Sequence, residues 1–101
     1  MTGYRANSKW NDLNELLCLQ AYKKLEENNF PKKLLTELAK KIAYQSGLTL
    51  GSVKAKIGNY KSVAGVTGHS NASQNTLSMY NNYNHLNSSE IQELMQSDKY
   101  L

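Results

Sequence analysis

Two apolar stripes with helical spacing, separated by the only proline, most constrain the fold of this 101-residue chain. Between Trp10 and about Asn28, apolar residues recur every three or four positions, which is the pattern of an amphipathic helix. Pro31 ends this pattern and suits the first turn of a second helix. Gly47 fits the left-handed position that ends the second helix. The two apolar faces comprise Leu13, Leu16, Leu17, Ala21 and Leu25 in the first helix and Leu34, Leu35, Leu38, Ala39, Ile42 and Ala43 in the second.

A third helix is predicted directly after Gly47. Thr49 is a suitable N-cap, and the residues that follow it give a narrow inward face (Leu50, Val53, Ile57 and Tyr60). Two helices, a short turn with glycine and a third helix with polar outward positions are the arrangement of a helix-turn-helix. A plain surface helix in a bundle that binds no DNA is the alternative. The outward positions are Ser52, Lys54, Lys56, Asn59 and Lys61.

The remainder of the chain predicts a loop and two short helices. A helix from about residue 76 to residue 83 buries Leu77 and Tyr80, and Asn87 with Glu90 three residues later forms a capping box for the last helix. We therefore predict a single all-α domain. Its parts are a flexible arm (1–8), a trihelical core (9–62), a loop (63–75) and C-terminal helices (76–97).

The positive charge of the chain is concentrated in its N-terminal part. The formal net charge is +4, from 12 Lys+Arg and 8 Asp+Glu. Residues 1–61 hold all the basic residues but one and five of the acidic residues, which gives +6, whereas residues 62–101 carry −2. A clustered positive field indicates a polyanion-binding surface. A solvated lysine-rich face gives the same pattern, so charge alone does not decide between the two.

The single cysteine and the lack of long apolar segments restrict where this chain works. Cys18 alone forms no internal disulfide and no cysteine-based zinc site, which favours a reducing compartment. No apolar run approaches the ~18 residues of a membrane span. The first residues lack the apolar core of a signal peptide. We expect a cytoplasmic protein without a membrane partner.

The few residues that suggest catalysis do not form a convincing site. His69, Asn71 and His85 are the residue types of an HNH-type metal site, but residues 69–85 show no strand pattern and no acidic ligand. Asp12 and Glu15 are expected on the solvent face of the first helix. No phosphate loop, nucleophile elbow or Ser/His/Asp set is present. We predict no enzyme activity, no metal and no cofactor.

Two blocks of the sequence resemble known nucleic-acid-binding modules. Trp10, Glu15, Leu16, Leu19 and Tyr22 are similar to the opening of Myb/SANT-like trihelical domains. Residues 51–60 (GSVKAKIGNY) and 68–73 (GHSNAS) resemble the N-terminal helical module that precedes the catalytic domain in many HNH endonucleases, including modification-dependent restriction enzymes. The resemblance covers about residues 10–83. Leu48 and Leu50 stand where that family often has Arg and Pro, and His69 stands where it often has Leu.

The resemblance implies a nucleic-acid-binding module without its nuclease, either free-standing or part of a longer chain. Together with the helix pattern it predicts non-catalytic binding of double-stranded DNA, in restriction or mobile-element biology, with the third helix in the major groove. Ser52, Lys54, Lys56 and Asn59 are expected to face the DNA. Lys40, Lys41 and Lys61 are expected to neutralise phosphates, and Arg5 on the arm to reach the minor groove.

A protein-interaction module is the rival interpretation. The acidic C-terminal third carries Tyr80, Tyr83 and Tyr100 beside Met79 and Met95, which suits a surface for a protein partner. In this interpretation the chain is a small phage or mobile-element protein that docks on a host enzyme or a nucleoprotein.

Overall fold

The computed structural model describes residues 8–66 and 72–97, and these residues form five α-helices without a strand. The all-α prediction is therefore confirmed for this part of the chain. Arg5 and most of the predicted arm lie outside the described residues, as do loop residues 67–71. The helices are α1 (Asp12–Glu27), α2 (Lys32–Ser46), α3 (Leu50–Val63), α4 (Gln74–Tyr83) and α5 (Ser88–Met95).

The helix ends follow from local capping. Asn11 caps α1 by accepting a hydrogen bond from the backbone N–H of Asn14. Gly47 ends α2 in the left-handed conformation, with φ of 78°. Thr49 caps α3, and Asn87 forms a capping box with Glu90 at the start of α5. The sequence-based predictions at Gly47, Thr49 and Asn87 are thus confirmed.

Helix α1 lies at the centre of the fold, because it contacts each of the other four helices. α2 and α3 also contact each other, and α4 packs against α3 as well as α1. Leu16, Leu19 and Tyr22 of α1 are completely buried. Cys18 is buried beside them, and burial, with a smaller effect of the nearby Glu15 carboxylate, raises the pKa of its thiol to about 12. None of the described helices is long and apolar enough to cross a bilayer.

The face that α4 turns to the core differs from the prediction. Thr76 and Met79 are buried, whereas Leu77 and Tyr80 are only half-buried. The helix begins at Gln74 with Ser73 as its cap, and the Thr76 hydroxyl donates to the buried Glu15 carboxylate. This polar contact fixes the rotation of α4.

The proposed partner surface in the C-terminal third is also affected. Met79 and Met95 are 6% and 7% exposed, so both belong to the core. The expectation that they form part of a protein-binding surface is wrong, because α4 buries Met79 against α1 and α3, and α5 buries Met95 against α1. Tyr100 lies outside the described residues.

Candidate nucleic-acid interface

A buried polar network around Glu15 fixes the orientation of α3. Glu15 is completely buried, which corrects the expectation that it lies on a solvent face. Its carboxylate accepts hydrogen bonds from the Tyr60 hydroxyl at 2.6 Å and from the Thr76 hydroxyl at 3.2 Å. The Lys56 ammonium donates to the other carboxylate oxygen at 2.8 Å. These contacts join α1, α3 and α4 and satisfy the buried charge.

Lys56 therefore does not face outward as predicted. Its side chain is only 12% exposed, and its Nζ atom lies 4.5 Å from the ring centroid of Trp10. The physical reason is the buried Glu15 carboxylate, which requires a cation nearby. Several residues that carry the family resemblance thus have a structural role in this chain. Trp10, Glu15, Lys56 and Tyr60 all belong to or border this one network.

The outward face of α3 carries small side chains. Gly51, Ser52, Ala55 and Gly58 are exposed. A Cβ atom built on Gly51 or Gly58 meets nothing within 4 Å, so the space outside this part of α3 is open. A surface of this kind allows another molecule to approach the helix backbone closely.

The predicted DNA-facing residues of α3 lie on its two opposite edges. At 100° per residue, Lys54 and Lys61 fall on the edge toward α2, whereas Ser52 and Asn59 fall on the other edge. The hydroxyl of Ser52 accepts a hydrogen bond at 2.8 Å from Thr49 at the start of the helix. Lys54 and Asn59 are half-buried, and so is Lys61. The structure thus brings together two of the three predicted lysines of α3.

A groove extends from the lysine edge of α3 toward the start of α2. We call it the Phe30 groove: its floor includes Phe30, Leu35 and Ile57, and its rim carries Lys32, Lys54 and Lys61. Its volume is about 320 Å³. Among the described residues, the lysines that form ion pairs are Lys23 with Glu26 and Lys56 with Glu15. The three rim lysines pair with none of the described carboxylates, so their charges remain available to an anionic ligand.

Phe30 is held in the groove by an uncommon backbone. Asn29 and Phe30 have φ of 63° and 58°, and the Phe30 N–H donates to the Leu25 carbonyl at 2.7 Å. Two consecutive left-handed residues other than glycine are costly, of order 1–3 kcal/mol each. The Phe30 ring lies 6.1 Å from the Tyr22 ring, and the Lys61 ammonium lies 4.8 Å from its centroid.

The lysines of α2 do not act as one group. Lys40 and Lys41 are both exposed, but adjacent helical residues point about 100° apart. Lys41 lines a second groove, between α1, α2 and α5, together with Leu13, Leu17 and Leu38. Lys41 is therefore placed away from the lysine edge of α3. The structure thus separates Lys41 from Lys54 and Lys61, and phosphate binding by Lys40 and Lys41 stays a prediction.

Sequence reasoning missed Lys32 and Phe30 as surface residues of interest. Lys32 belongs to the positively charged N-terminal part of the sequence, but its place in the same groove as Lys54 depends on how α2 packs against α3. In the sequence, Phe30 appears only as part of the segment that ends the first helix before Pro31. One sequence signal could have identified this surface. It is an aromatic residue between the end of a helix and a proline, with two lysines directly after the proline.

The described residues contain no group of three His, Cys, Asp or Glu side chains that could hold a metal ion. His85 is exposed after α4, and His69 and Asn71 lie outside the described residues. No family model, curated protein or solved structure matches this chain. Among the described residues, the surface of α2 and α3 carries the clustered positive charge that bears on function.

Proposed function

We propose that this protein binds double-stranded DNA without cutting it, with α3 entering the major groove. The observation that carries the proposal is the outward face of α3. It consists of small residues beside the open space at Gly51 and Gly58, and it is edged by Lys54 and Lys61 without a described carboxylate partner. Small side chains permit close approach to the duplex, and unpaired lysines neutralise phosphates.

The turn between α2 and α3 supports the same function. Three residues, with Gly47 in the left-handed conformation, separate the two helices. Short glycine-containing turns of this length connect the helices of DNA-binding helix-turn-helix motifs. Ser52 and Asn59 on the second edge of α3 supply the polar groups for base contacts, and Asn59 has the amide geometry that reads adenine. Lys32 joins Lys54 and Lys61 as a phosphate contact, and Lys56 is left out.

Fluorescence anisotropy with a random-sequence duplex tests this proposal at about 50 and 200 mM salt. The parent is expected to bind with an affinity that falls steeply with salt, because bound phosphates release counterions. Lys54→Ala with Lys61→Ala removes two phosphate contacts. It should make the slope of log K against log salt shallower by about 1.8.

A matched control is Lys24→Ala with Lys41→Ala, which removes the same charge from the groove lined by α1, α2 and α5. It should leave the salt slope close to that of the parent. No binding by the parent at the lower salt would refute DNA binding. Equal slopes for the two double variants would place the interface elsewhere on the molecule.

A further inference from the structure

The Phe30 groove combines an apolar floor with a cationic rim. Phe30, Leu35 and Ile57 supply apolar surface, and no carboxylate lines the groove. Its volume of about 320 Å³ is at the small end of the range for ligand-binding clefts. The phosphate backbone of a nucleic acid is charged and does not pack against the apolar floor. A ligand that complements the whole groove has an apolar body and negative charges beside it.

The surroundings of the Phe30 ring argue against an unpaired nucleobase as this ligand. Base stacking requires an open face of an aromatic ring. The Lys61 ammonium already lies over the Phe30 ring at 4.8 Å, and the Tyr22 ring packs at 6.1 Å with a tilt of 42°. An aliphatic or aromatic side chain needs no such open face, because it packs against apolar surface in any orientation.

The spacing of the rim charges fits a peptide. Lys54 and Lys61 are seven residues apart on α3, which is two helical turns or about 10 Å. Carboxylates seven residues apart on a helical peptide have the same spacing, and a side chain midway between them projects from the same face. Lys32 on α2 offers a third positive charge across the groove.

We infer that the Phe30 groove docks an acidic peptide segment of a protein partner, with a bulky apolar side chain inserted between flanking carboxylates. This places the partner surface on α1–α3 and not in the C-terminal third. Peptide and duplex both use Lys54 and Lys61, so they compete for the protein. Peptide docking does not itself require that the protein bind DNA.

Gly58 offers a variant that fills the groove without disturbing the fold. It is exposed and lines the groove, and a Cβ atom there meets nothing within 4 Å. Gly58→Leu therefore places a side chain in the part of the groove that the peptide side chain would occupy. Gly51→Leu is the matched control, because Gly51 is equally open and on the same helix but does not line the groove.

The experiment selects a random library of displayed 12-residue peptides on the folded parent protein. The probes are the enriched sequences, synthesised with a fluorescent label. They are expected to combine at least two acidic residues with a bulky apolar one. Gly58→Leu should weaken their binding at least tenfold, whereas Gly51→Leu should leave it within about twofold. Unlabelled peptide should displace a bound DNA duplex.

Three results would overturn the inference. One is the absence of enriched acidic peptides, and another is equal affinity of the enriched peptides for Gly58→Leu and the parent. The third is enrichment of basic or uncharged peptides. Titration of the same proteins with the random-sequence duplex is independent of these results. A parent that binds peptide but no duplex therefore refutes the DNA proposal and leaves the peptide site standing.

Discussion

At the scale of single residues, Cys18 shows how well the interior around α1 excludes water. Its thiol is completely buried, and burial together with the Glu15 carboxylate raises its pKa to about 12. In an unfolded chain a cysteine has a pKa of about 8.5. The folded protein therefore favours the neutral thiol, and an inert cysteine is the outcome that the leucines around it predict.

Stability should depend on pH through Cys18. The folded-state pKa is the higher one, so the contribution of the thiol is complete below about pH 8.5 and is lost as the pH rises toward 12. Between pH 7 and pH 10 the free energy of unfolding should fall by about 2 kcal/mol through this group. Urea denaturation of the parent and of Cys18→Ala at both pH values measures the difference. An equally steep fall in Cys18→Ala contradicts the assignment.

At the scale of elements, most helix boundaries followed from capping residues close in sequence. Thr49 and the Asn87–Glu90 pair define helix starts through hydrogen bonds between residues three positions apart. Such local pairs can be recognised in a sequence. The rotation of α4 was not predictable in this way. It depends on a hydrogen bond from Thr76 to Glu15, which is 61 residues away. A threonine in this helix is not expected in the core from the sequence, because the distant acceptor of its hydroxyl cannot be recognised there.

Two glycines of the α2–α3 unit should respond oppositely to alanine. Gly47→Ala places a side chain at φ of 78° and should lower the free energy of unfolding by about 1 kcal/mol. Gly58→Ala, in the exposed middle of α3, should raise it by about 0.5–1 kcal/mol through helix propensity. Thermal unfolding followed by circular dichroism gives both values. A stabilising Gly47→Ala would show that the turn does not hold its left-handed conformation in solution.

At the scale of the whole molecule, the Glu15 network ties distant parts of the chain together. It links α1 to Lys56 and Tyr60 of α3 and to Thr76 of α4. Sequence patterns could assign each helix but not this network, because charged residues on an amphipathic helix are normally solvent-exposed. The prediction that Lys56 points outward from α3 is wrong for this reason. Of the three α3 lysines that the sequence places outward, Lys54 and Lys61 lie together at the Phe30 groove, and their contact with DNA stays a prediction.

Loss of the Lys56 charge should destabilise the entire fold. Lys56→Met leaves the Glu15 carboxylate buried without its cation, which should cost about 3–5 kcal/mol. Lys54→Met makes the same change at a half-buried position without an ion pair and should cost less than about 0.5 kcal/mol. Urea denaturation compares the two variants. Equal losses would mean that the buried ion pair contributes little.

A double variant of the Glu15–Lys56 ion pair tests the coupling between the two charges. Glu15→Gln combined with Lys56→Met removes both charges, so its loss of stability should be smaller than the sum of the two single losses. Additive losses would show that Glu15 and Lys56 act independently. The comparison isolates the contact at 2.8 Å from the packing of the two side chains.

The buried ion pair restricts how this protein can evolve. Replacing Glu15 or Lys56 alone by an uncharged residue leaves the opposite charge unpaired in the interior, whereas replacing both by uncharged residues removes the conflict. Paths between neighbouring sequences therefore pass through a poorly folded intermediate unless the two codons change together. The edge lysines at positions 54 and 61 carry no such linkage. They can change singly, so the charge of this surface can shift in a descendant while its interior stays as it is.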